Sequence, residues 1–227
     1  MTIPAAMVAA QNVAMQPSST IAVATTLNSG LLTRQGDVLT PFPLPTGVSG
    51  FQDLSIDVDN DSLVFALDVS SPRVCSYTLE SATSLVLNNC VGSSFNTSPF
   101  TGVSARGGTL VISGGVGGVT VFDYDASSGI LQETPRVQNQ FLPVIGFPDV
   151  LMISPTQAAM SADIGGTPRF GTVIVDIQGT TLTPVGEFRM EDSLGFDLVV
   201  SPANFPFVNA IFEAGSDIYM YTANGGK

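Results

Sequence analysis

The 227-residue chain carries 19 acidic and 7 basic side chains, a formal net charge of −12, and neither histidine nor tryptophan. Without histidine, Ser-His-Asp and Cys-His catalysis, imidazole acid–base chemistry and His-ligated zinc or copper are excluded. Six scattered arginines and a single lysine, Lys227, make no basic stripe for a nucleic acid, and Pro, Asn, Gln, Ser and Thr break every apolar run short of the roughly 18 residues a bilayer span needs.

The first charged residue is Arg34, and the uncharged segment before it lacks the basic start and long apolar centre of a signal peptide, so the chain is expected to open as a mature or trimmed one. Its first strand-like run is TIPAAMVAA at 2–10, whose Ala and Met content also suits a short helix. Four runs then follow at NVAM (12–15), IAVAT (21–25), GLLTR (30–34) and VLTPF (38–42). The same order repeats as LSIDV (54–58), LVFAL (63–67), RVCSYTL (73–79) and LVLNNCV (85–91). It repeats again as GVSA (102–105), LVISG (110–114), VTVFDYD (119–125) and LQETPRV (131–137), and then as VLMIS (150–154), AAMSA (158–162), GTVIVDI (171–177) and TLTPVGEF (181–188). A last set, DLVVS (197–201), VNAIF (208–212) and DIYMYT (217–222), stops one strand short.

The second runs start at residues 21, 63, 110, 158 and 208, hence 42, 47, 48 and 50 residues apart. Four short strands per unit of this length predict an all-β, five-bladed β-propeller with four antiparallel strands per blade. The chain is then one domain, 1–227, with blades at about 11–45, 53–92, 100–138, 149–189 and 196–224. A ring of blades needs closure, because an open one leaves strand edges unpaired, and the N-terminal strand 2–10 is expected to complete the last blade. Phe51, Phe100, Phe147 and Phe196 recur just before the first strands, where they are expected to pack between neighbouring blades.

The stretch DVDNDSLVFALD (57–68) places Asp57, Asp59, Asp61 and Asp68 at positions 1, 3, 5 and 12 of a calcium-loop pattern. Position 6, where such a loop wants glycine, is Ser62, and Asp68 lies a full strand away from Asp59. The segment reads instead as a hairpin tip, since Asn, Asp and Ser favour such turns. In the second unit, a turn centred between Ala82 and Thr83 sets Cys75 opposite Cys90, close enough for a disulfide and, with it, an oxidising compartment; two buried free thiols are the alternative. The Asn60 and Asn96 sequons are compatible with secretion.

Carboxylates gather at one end of the blades. Asp68, Asp163 and Glu213 close second strands, whereas Asp53, Asp149 and Asp197 open first strands, where Asn12 and Gly102 fill the remaining places. Asn12, Asp53, Asp149 and Asp197 are thus expected to form an incomplete polar ring at one channel mouth. Asp53, Asp149 and Asp197 are the candidate ligands for a hard cation such as Ca2+. The bland alternative is that each Asp hydrogen-bonds backbone at its loop–strand junction, a structural staple repeated by ancestry.

The segment VTVFDYDASSGIL (119–131) resembles the repeat of lactonase-type and surface-antigen propellers, in which V-x-V-Y-D-x-D precedes a small-residue turn and a leucine; RVCSYTLESATSLVL (73–87) is a looser copy. The resemblance implies a fold and brings no catalytic residue with it. Three functions are carried forward. The first is a non-catalytic extracellular or surface propeller that holds a protein partner through loops on one face, such as 92–100 and 137–149. The second is a calcium-dependent hydrolase similar to regucalcin-like lactonases, using Asp53, Asp149, Asp197 and Asn12. The third is a glycosidase similar to five-bladed arabinanases, against which the short chain and absent Trp and His argue.

Overall fold

The computed structural model describes residues 10–16, 18–26, 30–68, 73–92, 100–114, 118–140, 149–163, 170–190, 195–200, 207–214 and 217–224. All regular structure among them is β. The first sheet is β1 (Ala10–Met15), β2 (Ile21–Thr26), β3 (Gly30–Gln35) and β4 (Val38–Phe42). The second is β5 (Phe51–Ile56), β6 (Leu63–Asp68), β7 (Arg73–Ser81) and β8 (Ser84–Gly92). The third holds β9 (Phe100–Arg106), β10 (Thr109–Gly114), β11 (Gly118–Asp123) and β12 (Val137–Gln140). The fourth holds β13 (Val150–Ser154), β14 (Gln157–Asp163), β15 (Phe170–Gln178) and β16 (Thr181–Met190). A three-stranded sheet follows, β17 (Gly195–Val200), β18 (Phe207–Ala214) and β19 (Asp217–Asn224).

Every sheet is an antiparallel meander in chain order, as short strands joined by tight turns dictate. Gly107 and Gly108, both at positive φ, make the two-residue turn between β9 and β10 that mirror-image hairpin turns require. The first strands lie side by side: β1 touches β5, β5 touches β9, β9 touches β13 and β13 touches β17. The sheets therefore stack like propeller blades, with first strands innermost.

Period-two alternation decides what each blade face meets. Val23 and Leu31 of the first sheet pack with Leu54, Val64, Ala66 and Tyr77 of the second. The opposite face of the second, Leu63, Phe65 and Leu67, packs with Val103, Ala105 and Leu110 of the third. Val111, Val119 and Val121 of the third then meet Val150, Met152 and Met160 of the fourth. The second strands are buried on both faces, which is why LVFALD is apolar without alternation and every one of its residues is buried. Phe51 joins the packing between the first two blades, edge-on to Tyr77 at 6.1 Å.

Cys75 lies opposite Cys90 and the two form a disulfide, with Cα atoms 4.0 Å apart. Two strand positions differ from the sequence reading. The outer strand of the third blade is Val137–Gln140 and not 131–137; Leu131 makes an isolated bridge to Tyr124, and Pro135, lacking an N–H, delays regular pairing until beyond it. Ala10 pairs with Thr26 and so belongs to β1; the rest of the expected closing strand, together with Phe147, lies outside the described residues.

Candidate functional site

The innermost strands carry the candidate carboxylates. Asp53 sits in β5 opposite Leu67 and is 6% exposed. Odd-numbered residues of β5 share the face that looks at the third blade, and their acceptors meet its backbone. The Val103 amide donates to Asp53 Oδ2 at 2.7 Å, the Ala105 amide to Ser55 Oγ at 3.2 Å, and the Gly107 amide to Asp57 Oδ1 at 3.3 Å. Asp53 Oδ1 takes the amide of Leu54 at 2.8 Å. The relation recurs one blade on, where the Met152 amide donates to Ser104 Oγ at 2.9 Å. An acceptor on one inner strand thus holds an N–H of the next.

Asp149 precedes β13, and its Oδ1 accepts the Val150 amide at 2.7 Å, the local bond that Asp53 makes to Leu54. It lies against Gly102: a Cβ built there would stand 2.9 Å from Ser113 Oγ and 3.0 Å from both Cα and Oδ1 of Asp149. Asp53 and Asp149 therefore flank β9 at one end, with glycine between them. Because one of the opposing atoms is backbone, Gly102→Ala is expected to destabilise the chain by about 1–3 kcal/mol through overpacking. Urea unfolding checks this, and an unchanged midpoint would show that the two strands can part there.

Asp68 ends β6, pairing with Phe51 and Arg73. It is fully buried and accepts the Ser49 hydroxyl at 3.0 Å and the Ser49 amide at 3.4 Å, which fastens the segment joining the first two blades. Asn12 pairs with Thr25, Asp163 with Phe170, Asp197 with Ile211 and Glu213 with Gly195; their side chains lie outside the described residues. Among the described residues no three of His, Cys, Asp and Glu are grouped to hold a metal. None of their helices is long and apolar enough to cross a membrane.

The four aspartates of the calcium-like stretch go separate ways. Asp57 is fully buried and accepts the Tyr124 hydroxyl at 2.5 Å and the Asp59 amide at 2.8 Å, in addition to Gly107. Burial and the neighbouring Asp57 push the Tyr124 phenol well above its ordinary range. Asp59 pairs with Arg106 at 3.2 Å, whose guanidinium also reaches the carbonyl of Ile153 in the fourth blade. Asp61 Oδ2 accepts the Ser18 amide at 2.7 Å. In the DYDASSG turn, the Ser127 hydroxyl, with the amides of Ser127 and Ser128, holds Asp125 down to about 2. That motif is a turn built on local hydrogen bonds.

Sequence reasoning missed two amides on the outer strands. Asn89 donates from Nδ2 to the Leu131 carbonyl at 2.9 Å and accepts the Leu131 amide on Oδ1 at 3.0 Å. Gln140 brackets Leu182 in the same way, at 2.8 Å on both sides. Each amide copies a peptide group and clamps a leucine 42 residues ahead in the next blade. Between the first two blades, the Thr33 hydroxyl donates to the Ala82 carbonyl. The equal spacing is the one sequence signal that could have found the amide clamps.

No family model matches the chain and no curated protein does. Among solved structures, it is similar to the hydrazine synthase of Kuenenia stuttgartiensis at 11% identity and TM-score 0.63, over 92% of this chain and 57% of that one. Saccharomyces cerevisiae Sqt1 matches at 10% identity and TM-score 0.63, over 95% of this chain and 59% of the other. A Bacteroides fragilis protein assigned as a 6-phosphogluconolactonase matches at 14% identity and TM-score 0.60, over 80% and 55%. The chain spans less than two thirds of the length of each. These likenesses show a propeller-like fold.

Proposed function

We propose that the chain is a non-catalytic binding or scaffold β-propeller of the extracellular space or cell surface, holding a protein partner through loops on one face. The observation that carries this reading is the use of Asp53: both oxygens are spent on backbone amides, one of them in the next blade. A carboxylate so engaged holds a ring together and is a poor donor to a cation or a substrate. The Cys75–Cys90 disulfide supports an oxidising compartment. We read the ring as five blades, with residues 2–9 supplying the strand that the last sheet lacks. Supporting closure, the first sheet is buried on both faces: Ala24 and Leu32, paired across its far side, are as buried as Val23 and Leu31.

The second reading, a calcium-dependent lactonase-like hydrolase, is favoured by the neighbour assigned as a 6-phosphogluconolactonase and by Asp53 and Asp149 flanking one strand. One experiment separates the two. Chelator-treated protein is unfolded thermally with and without millimolar calcium, alongside Asp149→Asn, and assayed on lactones and arabino-oligosaccharides. A site filled at about 100 times its dissociation constant adds about 2.7 kcal/mol. The expected result is no calcium shift and no turnover. A shift and a lactonase rate in the parent, both lost in Asp149→Asn, would establish the hydrolase instead.

A further inference from the structure

The outer strand of every blade presents an edge, and exposed edges invite pairing with another chain unless something blunts them. Three of the four described outer strands are blunted. Within β4, Pro41 removes a donor. Only four residues make up β12, just after Pro135 and Arg136. Pro184 interrupts β16, which also carries Glu187 and Arg189 and a register shift opposite Ile174/Val175. By contrast β8, SLVLNNCVG, runs nine residues with neither proline nor charge. Its Val86 and Leu87 are 45% and 43% exposed, and among the described residues it has β7 as its one strand partner.

We propose that β8 is a strand-addition edge, and that its occupant is β8 of a second copy of this chain, paired antiparallel about a two-fold axis near Val86 and Leu87. The choice of occupant follows from charge and symmetry. A chain of net charge −12 repels its copies over most of its surface, but a seam of two uncharged strands carries no like-charge contact. The nearest described acid is Glu80, which accepts the Ser84 hydroxyl at 2.7 Å at one end of the strand. Antiparallel pairing sends the two Glu80 side chains to opposite ends of a seam about 30 Å long, beyond a Debye length of about 10 Å. An antiparallel edge is also its own complement, so a two-fold pair closes and leaves no new edge to grow a filament. The apolar pair is covered by its own copy.

The test is molar mass by light scattering and sedimentation from micromolar to millimolar concentration, on the parent, Val86→Lys, Leu87→Lys and, as a control on a blunted strand, Val185→Lys. Parent and control are expected to pass from one-chain to two-chain mass, while the β8 variants stay single with unchanged thermal midpoints. Amide exchange on the parent reports independently of any variant: protection confined to 84–92 should rise with concentration. A parent that stays single throughout, or a dimer that Val185→Lys breaks and Leu87→Lys does not, would overturn the proposal.

Discussion

Asp57→Ala is expected to destabilise the protein by about 3–5 kcal/mol, because it orphans three donors at once, each worth roughly 1–3 kcal/mol when buried without a partner. They are the Tyr124 hydroxyl and the amides of Asp59 and Gly107. The first lies beneath the third blade, where the Tyr124 ring packs on Phe65 of the second at 4.6 Å between centroids. Water entering the turn can relieve the two amides, but the phenol is 5% exposed as a residue and is beyond its reach. Tyr124→Phe removes one donor and leaves Asp57 its two amides, so it should cost less, about 1.5–3 kcal/mol for a hydrogen bond to a charged group. Equilibrium urea unfolding of the two variants and their double gives the coupling directly. If Asp57→Ala unfolds within 1 kcal/mol of the parent, the aspartate is no staple.

The two variants also locate the limit of what the sequence reveals about the candidate site. Strand positions were legible because period-two patterning and recurring turns set them: Asp53 and Asp57 fall where the repeat puts them. Side-chain direction was less legible. An inner strand shows its two faces to neighbouring blades, so Asp53, Ser55 and Asp57, at every second position, look sideways at β9 and take its amides. The repeat alone suggested a ring at the channel mouth, since it gives the level of each carboxylate without its direction. The Cys75–Cys90 pair was legible for the opposite reason: it is local, and a turn at 82–83 fixes which residues oppose. Asn89 and Gln140 were invisible, because their partners lie in the next blade and nothing in a single strand marks them. The third outer strand was misplaced because LQETPRV looks like a strand until Pro135 is given its missing donor.

Removing the disulfide, by Cys75→Ala with Cys90→Ala or by reduction of the parent, is expected to cost about 3 kcal/mol, the loop-closure entropy of a link across about 15 residues. In a chain of this size that lowers the melting temperature by about 6–12 °C. The loss should begin locally. Cys90 fastens the outer strand β8 to β7 at one end, and Asn89 beside it clamps Leu131 of the third blade. Without the link, the far half of β8 keeps its ladder bonds and its clamp, but an outer strand freed at one end opens more often than the strands inside it. Amide exchange should therefore rise first at 84–92 and at Leu131, before the inner strands respond. Total stabilities of about 5–15 kcal/mol leave most domains folded after such a loss, so the reduced chain is expected to remain a propeller with a loosened second rim. Cys75 lies in the packing between the first two blades, so alanine there also removes buried volume. Reduction of the parent, which leaves both sulfur atoms in place, separates the two effects. A reduced parent that melts with the oxidised one would show that the hairpin needs no link, and would remove the support the disulfide gives to an oxidising compartment.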